Sequence, residues 1–269
     1  MSDIASVLKA QFEQQHGFGD REWDLFLDAL ENGDLRVVER VSDGSWEVQT
    51  WVKEAILSGF RRGGLRAWSW PSDSGFCDRP AFPPRVFSVE EGIRMVPGGS
   101  SVRRGAHVAR GVIIMPPSFI NVGAWIDEGT MVDSHVLVGS CAQIGKGVHL
   151  SAGVQIGGVL EPPQASPVII EDGAFIGGMC GLFEGVHVGR EAVLAPGVII
   201  TKGTRIFDLV EEREWNGQIP PRAVVVPGTR PAQGTYASAH GLALSAPCIV
   251  KYRDDKTSGA VTLESALRS

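Results

Sequence analysis

The chain is 269 residues long, 43% apolar and 21% charged, with a formal net charge of −6 at pH 7. That balance suits a packed core, while the scattered basic residues give no clustered cationic surface for phosphates and so argue against a nucleic-acid partner. No apolar run approaches the ~20 residues of a membrane helix and the N-terminal MSDIASVLKAQFEQQHG lacks a signal-peptide core, so a cytoplasmic protein without membrane contact is expected.

In chain order, the first pattern is helical. Residues 20–33, DREWDLFLDALENG, put Trp23, Phe26, Leu27 and Leu30 on one helical stripe with Gly33 as a stop, and residues 50–60 read as a second helix. Residues 63–92 are rich in Gly, Pro, Ser and Trp and read as a linking segment. An α-helical N-terminal domain with its linker is therefore expected over residues 1–95.

A different beat follows. From Val102 every sixth residue is aliphatic: Val102, Val108, Ile114, Ile120, Ile126, Val132, Val138, Ile144, Leu150 and Ile156, then after a break Ile170, Ile176, Leu182, Val188, Leu194, Ile200 and Ile206. Ile156 to Ile170 is 14 residues, which reads as two hexads plus a two-residue insertion near Glu161–Gln164. Glycine recurs at the fourth position of the hexad, as at Gly105, Gly123 and Gly147, and a small residue at the fifth, as at Ala106, Ala124 and Cys180. Each repeat is then a short strand and a corner, and such strands are stable only when stacked into a β-solenoid. The expected fold class is mainly β, with a parallel β-helix over residues 96–208.

Beyond Phe207 the polar stretch LVEEREWNGQIPPR suggests a hairpin or flap, AVVVPG and PCIVKY read as strands, and LESALRS as a terminal helix. These make a small mixed cap over residues 209–269 that covers an otherwise exposed coil end. Cys77, Cys141, Cys180 and Cys248 are dispersed without CxxC spacing, so neither a disulfide framework nor a zinc ribbon is indicated, and a reducing compartment fits. His107, His149 and His187 do not make a clustered zinc-ligand pattern, and no metal is expected.

The hexads resemble those of the hexapeptide-repeat proteins, whose three-sided coil is left-handed against the usual crossover rule. More specifically, EGIRMVPGGSSVRRGAHVARGVIIMPPSFINVGAWIDEGTMVD, VGSCAQIGKGVHLSAGVQIGGVLEP and GTRIFD resemble the tetrahydrodipicolinate N-succinyltransferase family, densely between Glu91 and Glu161. The resemblance implies a homotrimer of left-handed β-helices with active sites between subunits, acyl-CoA as co-substrate without a metal, and transfer of the acyl group to the amine of an amino-dicarboxylate. It places a substrate-binding arginine at Arg94, in EGIRMVP, where a guanidinium offers paired donors to a carboxylate. It places an essential carboxylate at Asp133, in GTMVD, able to hold or deprotonate the attacking ammonium and so to serve both substrate binding and catalysis.

The chain also departs from the family. Where the succinyltransferases read FIGARSE it reads FIGGMCG, so Gly181 stands in place of a second acidic residue, and His135 stands where tryptophan is usual. His135 becomes a second catalytic candidate, because imidazole titrates in the useful range, whereas Glu184 belongs to an EG pair that serves a turn. Candidates for holding the CoA arm are Gly178, Ala195, Gly197 and Thr201, with Lys202 and Lys251 for the phosphates. The donor stays open between succinyl-CoA and acetyl-CoA, the latter in a paralogue recruited to a secondary pathway such as a tabtoxin-type toxin. A catalytically silent CoA-ester-binding homologue is the alternative of a different class.

Overall fold

The computed structural model of the chain describes residues 3–15, 17–64, 66–68 and 76–254. The segment read as a terminal helix, LESALRS, lies outside the described residues. Within them, the hexad residues build a three-sided coil of two-residue strands, all parallel, that returns to the same face every 18 residues. The first face stacks Ser101–Val102, Phe119–Ile120, Leu137–Val138, Gln155–Ile156, Gly181–Leu182 and Ile199–Ile200; the second runs from His107–Val108 to Gln218–Ile219. The third face begins at Arg94–Met95 and is the longest, because strands of the C-terminal segment extend it to ten.

All seventeen aliphatic hexad residues are buried, and they form one continuous cluster down the axis. In each strand the second residue points inward and the first outward, so the period of six satisfies both strand alternation and the need for an apolar interior. Buried hydroxyls close the corners from inside: Ser118 Oγ donates to the carbonyls of Met115 and Asp133 at 2.8 Å each and accepts the amide of Val136 at 3.2 Å. The fourth hexad position is left-handed throughout most of the coil, with φ of +80° at Gly105, and this is why glycine recurs there.

The break in the beat is larger than the sequence suggests. Gln155–Ile156 lies on the first face and Ile169–Ile170 on the next, the second, so no strand forms between them and the insertion is eight residues, not two. It leaves the coil as an excursion over residues 157–168. Periodicity alone reports an insertion only modulo six, and the additional hexad it invites is absent.

Three helices, α1 (Asp3–Gln15), α2 (Asp20–Asn32) and α3 (Thr50–Gly59), pack through Leu8, Phe12, Trp23, Phe26, Leu27, Trp51 and Ile56 into a second apolar cluster that includes Val122, Cys141 and Ile169 of the coil. They cover the outer side of the second face. There Trp125 stacks on His107 at 3.8 Å, and Arg36 lies over Trp125 at 4.3 Å while donating to Gln143 Oε1 at 2.7 Å. Burial lowers the Arg36 guanidinium to about 10, against the pull of Asp127 and Asp172.

At the far end, the antiparallel hairpin Arg205–Asp208 and Arg213–Asn216, the strand Ala223–Val226 and the strand Cys248–Tyr252 close the coil, burying Ile206, Val224, Val225 and Ile249. A short helix, α4 (Thr235–Ala239), lies between them. Their tie is Asp208, only 2% exposed, which accepts from Tyr252 Oη at 2.6 Å, Trp215 Nε1 at 3.2 Å and the amides of Val210 and Glu211 at 3.1 and 3.0 Å. Burial by itself would raise the Asp208 carboxyl, but these four donors outweigh it and hold the group below the usual range, while burial and then Asp208 push the Tyr252 hydroxyl up to about 12.

Two outcomes follow for stability. Ile144→Ala, at a position with no exposure, is expected to cost about 2–5 kcal/mol in chemical denaturation, whereas Ile199→Ala, half-exposed on the first face, costs under about 1 kcal/mol; equal losses would contradict the inward-outward assignment. A depressed folded carboxyl stabilises above its unfolded value of about 3.9 and loses that contribution as pH falls through the folded value. Asp208→Asn should therefore lower the melting temperature at pH 7, with the gap to the parent closing below about pH 4; a gap that is constant with pH would contradict it.

Candidate functional site

Asp133 and His135 share the corner where the chain passes from the third face to the first. The Asp133 amide donates to Leu150 O at 3.0 Å, and its half-buried carboxylate accepts the amide of Ser134 at 2.7 Å through Oδ1. No ion pair engages it among the described residues, so most of its acceptor capacity faces outward. His135 is exposed and takes the left-handed conformation at φ +62°, in the column where glycine is the rule. Such a placement costs about 1 kcal/mol or more in a residue with a Cβ. The Gln155 side chain, one coil on, donates through Nε2 to the carbonyls of His135 and Gly153 at 3.2 Å each, which fastens this corner to the next.

Gly181 lies on the first face, with Gln155 on one side of it in the stack and Ile199 on the other. Asp133 and Gly181 are 48 positions apart, and removing the eight inserted residues leaves 40, four more than two 18-residue coils. Gly181 therefore sits two coils along, roughly 10 Å, just past the same corner. A Cβ at Gly181 would come within 2.6 Å of Phe183 Cε2 and 3.0 Å of Ile199 Cδ1. The outward space at this glycine is thus filled by an apolar ring, with no room for a longer side chain unless Phe183 moves.

Phe183 also faces a cavity of about 500 Å³ at the following corner, between the first and second faces. Its walls are the excursion, through Gly157, Gly158, Val159, Ala165 and Ser166, and two later corners, through Glu184, Gly185, Thr201 and Lys202. Thr201 and Lys202 are therefore brought together. Gly178 and Gly197 meet at the third-to-first corner, the Gly197 amide donating to Gly178 O at 2.9 Å, and Ala195 is fully buried beside them with its carbonyl accepting the Cys180 thiol at 3.1 Å. Lys251 stands apart from both groups, on the C-terminal strand beside Val224.

Arg94 opens the third face, stacked on Ile113 and then Met131, and its exposed guanidinium has no ion-pair partner among the described residues. Glu184, at φ +56°, is exposed at the cavity rim. Gln155 and Phe183 are absent from the sequence-based candidates. Both sit at or beside outward strand positions, which the hexad pattern leaves unconstrained, and only the stacking of coils brings them to the corner.

Burial pushes the Cys141 thiol up to about 12 and the Cys180 thiol up to about 11, leaving neither as a thiolate nucleophile near neutral pH. Burial also lowers the His107 imidazole, which packs against Glu31 O and Trp125 in the helix-coil contact. Among the described residues no group of three or more His, Cys, Asp or Glu side chains could hold a metal ion, and no helix is long and apolar enough to cross a membrane.

Comparison with known proteins adds the following. Residues 167–202 match a sequence family described as the hexapeptide repeat of succinyl-transferase, and residues 21–61 one described as tetrahydrodipicolinate N-succinyltransferase N-terminal. A 2,3,4,5-tetrahydropyridine-2,6-dicarboxylate N-succinyltransferase of Idiomarina loihiensis is 46% identical over 252 residues, covering 90% of this chain and 87% of that protein. Its namesake in Zymomonas mobilis is 40% identical over 279 residues, covering 100% and 99%. A solved Campylobacter jejuni structure described as a 2,3,4,5-tetrahydropyridine-2-carboxylate N-succinyltransferase aligns at TM-score 0.47 and 16% identity, over 85% of this chain and 63% of that one.

The thiol environments give a direct test. Native protein treated with iodoacetamide at pH 8 and read by peptide mass spectrometry should leave Cys141 and Cys180 unmodified, with the partly exposed Cys248 reacting first of the three; rapid alkylation of Cys180 would contradict its burial.

Proposed function

The chain belongs to the 2,3,4,5-tetrahydropyridine-2,6-dicarboxylate N-succinyltransferase family, and we propose that it is an acyl-CoA-dependent N-acyltransferase acting on the amine of tetrahydrodipicolinate or a related amino-dicarboxylate. The observation that carries this reading is the full-length identity of 40–46% to proteins named for that reaction. In the same reading the coil is left-handed and three copies assemble with active sites between them, in the cytoplasm. Residues 1–95 brace the coil, 96–208 carry the chemistry and 209–269 close its end.

The reaction forms a C–N bond and breaks the C–S bond of the thioester. An ammonium must lose a proton before it attacks, and Asp133, with no cation to neutralise it, is suited to hold that ammonium and accept the proton. The proton passes to the departing CoA sulfur as the tetrahedral intermediate collapses. His135 is the second candidate for this transfer. Arg94 holds an acceptor carboxylate through paired N–H donors. The cavity beside the excursion receives the acyl-CoA arm, with Thr201 and Lys202 on its wall; Gly178, Ala195 and Gly197 offer backbone groups along the neighbouring corner, and Lys251 a charge for the phosphates.

Succinyl is the first choice of acyl group, since the relatives are named for it. A second reading, acetyl transfer, draws on the apolar filling at Gly181, where Phe183 and Ile199 occupy the outward space and recharge the neighbourhood of Asp133. The silent CoA-ester binder finds no support among these relatives, which are named as transferases.

The test is thiol release from succinyl-CoA and acetyl-CoA with tetrahydrodipicolinate as acceptor. Succinyl-CoA is expected to be the better donor. Asp133→Asn should lower kcat by at least about 100-fold, and Arg94→Ala should raise the acceptor KM about tenfold or more. Faster release from acetyl-CoA would select the second reading, and no release from either donor would overturn the proposal.

A further inference from the structure

Lys53 is a lysine with no exposed surface, on the inner side of α3, where Trp51, Val52, Ala55 and Ile56 are also buried. Its Nζ donates to the carbonyl of Ala165 at 2.7 Å, across 112 residues of sequence. Burial lowers its ammonium from the ordinary lysine range, and the nearby Cys141 thiol compensates only in part. A buried cation held by one carbonyl is a poor stabilising device, because desolvation costs as much as or more than the contact returns and an apolar side chain of similar length often serves stability better.

What Lys53 holds is the excursion. Residues 160–167 include Glu161, Pro162, Ala165 and Ser166 of the cavity wall. Their hydrogen bonds within the segment are local, Ala165 N to Pro162 O at 2.9 Å and Ser166 Oγ to Pro167 O at 3.3 Å. Among the described residues, Lys53 supplies the hydrogen bond that ties this stretch to the rest of the chain. A helix of the N-terminal segment therefore sets the position of one wall of a cavity whose other wall is the coil.

We propose that Lys53 is a positioning residue for donor binding: its ammonium fixes Ala165, and through it the excursion, at the distance from Phe183, Thr201 and Lys202 that accepts the acyl-CoA arm. This rests on the reading that the cavity takes the donor. The residue acts through the excursion and touches no reacting atom.

The full-length protein is tested as Lys53→Met, Lys53→Gln and, separately, Ser166→Trp, which places a bulky ring in the cavity from its exposed wall. For Lys53→Met the acyl-CoA KM should rise about tenfold, the size of one lost charge-assisted hydrogen bond, with acceptor KM within twofold and a melting temperature no lower than the parent's. Amide exchange should quicken in residues 158–168 and not elsewhere in the coil. Lys53→Gln, which keeps an N–H donor, should show a smaller rise in donor KM, and it decides the matter if the methionine variant is insoluble. A parental donor KM in either soluble variant, or a loss of stability spread over the whole chain, overturns the proposal. If Ser166→Trp raises the donor KM while Lys53→Met does not, the Lys53 proposal fails alone; if Ser166→Trp leaves the donor KM unchanged, the cavity reading fails and takes the proposal with it.

Discussion

Everything in this molecule depends on the coil returning to register every 18 residues. A two-residue strand cannot bury a core of its own; each inward aliphatic side chain is sheltered only by the ones stacked before and after it, so a slip at one turn exposes several. The corners carry the cost of keeping that register. A left-handed residue must stand at the fourth position of most hexads, and glycine does this without strain. His135, Cys141, Met179 and Glu191 do it with side chains. Cys141 is buried under the helices and Glu191 receives the Asp172 carbonyl through its amide, so their settings are structural. His135 and Met179 are exposed, at the corner shared with Asp133.

The inward half of this architecture is legible in the sequence because one chemical property repeats at one period. The same reason limits what can be read. The interval from Ile156 to Ile170 has the right phase for two hexads plus two, yet the coil proceeds directly from the first face to the second, since phase carries no information about which face a strand joins. The helices over residues 20–33 and 50–60 show an apolar stripe and are readily identified. α1 carries a comparable signal, Ala5, Leu8 and Phe12 on its buried side, but its stripe is short and flanked by polar residues that mask it.

The site was partly legible, and unevenly so. Asp133 and Arg94 stand in motifs whose residues are contiguous, and a string of letters suffices to find them. Gln155, Phe183 and Lys53 matter through contacts across 20, 26 and 112 residues respectively. Nothing local marks a glutamine at an outward strand position or a lysine in the middle of an amphipathic helix; ordinarily both are solvated. Burial of Lys53 is a property of the excursion that folds over it, and the excursion is the one part of the coil that periodicity leaves undefined.

The departures around Asp133 behave as one unit. Gln155 grips the carbonyl of His135, so the strained corner and its replacement side chain are held together. Directly below, Gly181 supplies no side chain, and Phe183 turns into that space while also closing one end of the cavity. Reinstating a carboxylate at Gly181 would therefore meet the Phe183 ring before it met a substrate, and removing the ring would open the cavity toward the first face. All of these positions point away from the axis. The aliphatic stack does not sense them, which is how a coil under such strict internal constraint leaves its chemistry free to vary on the outside.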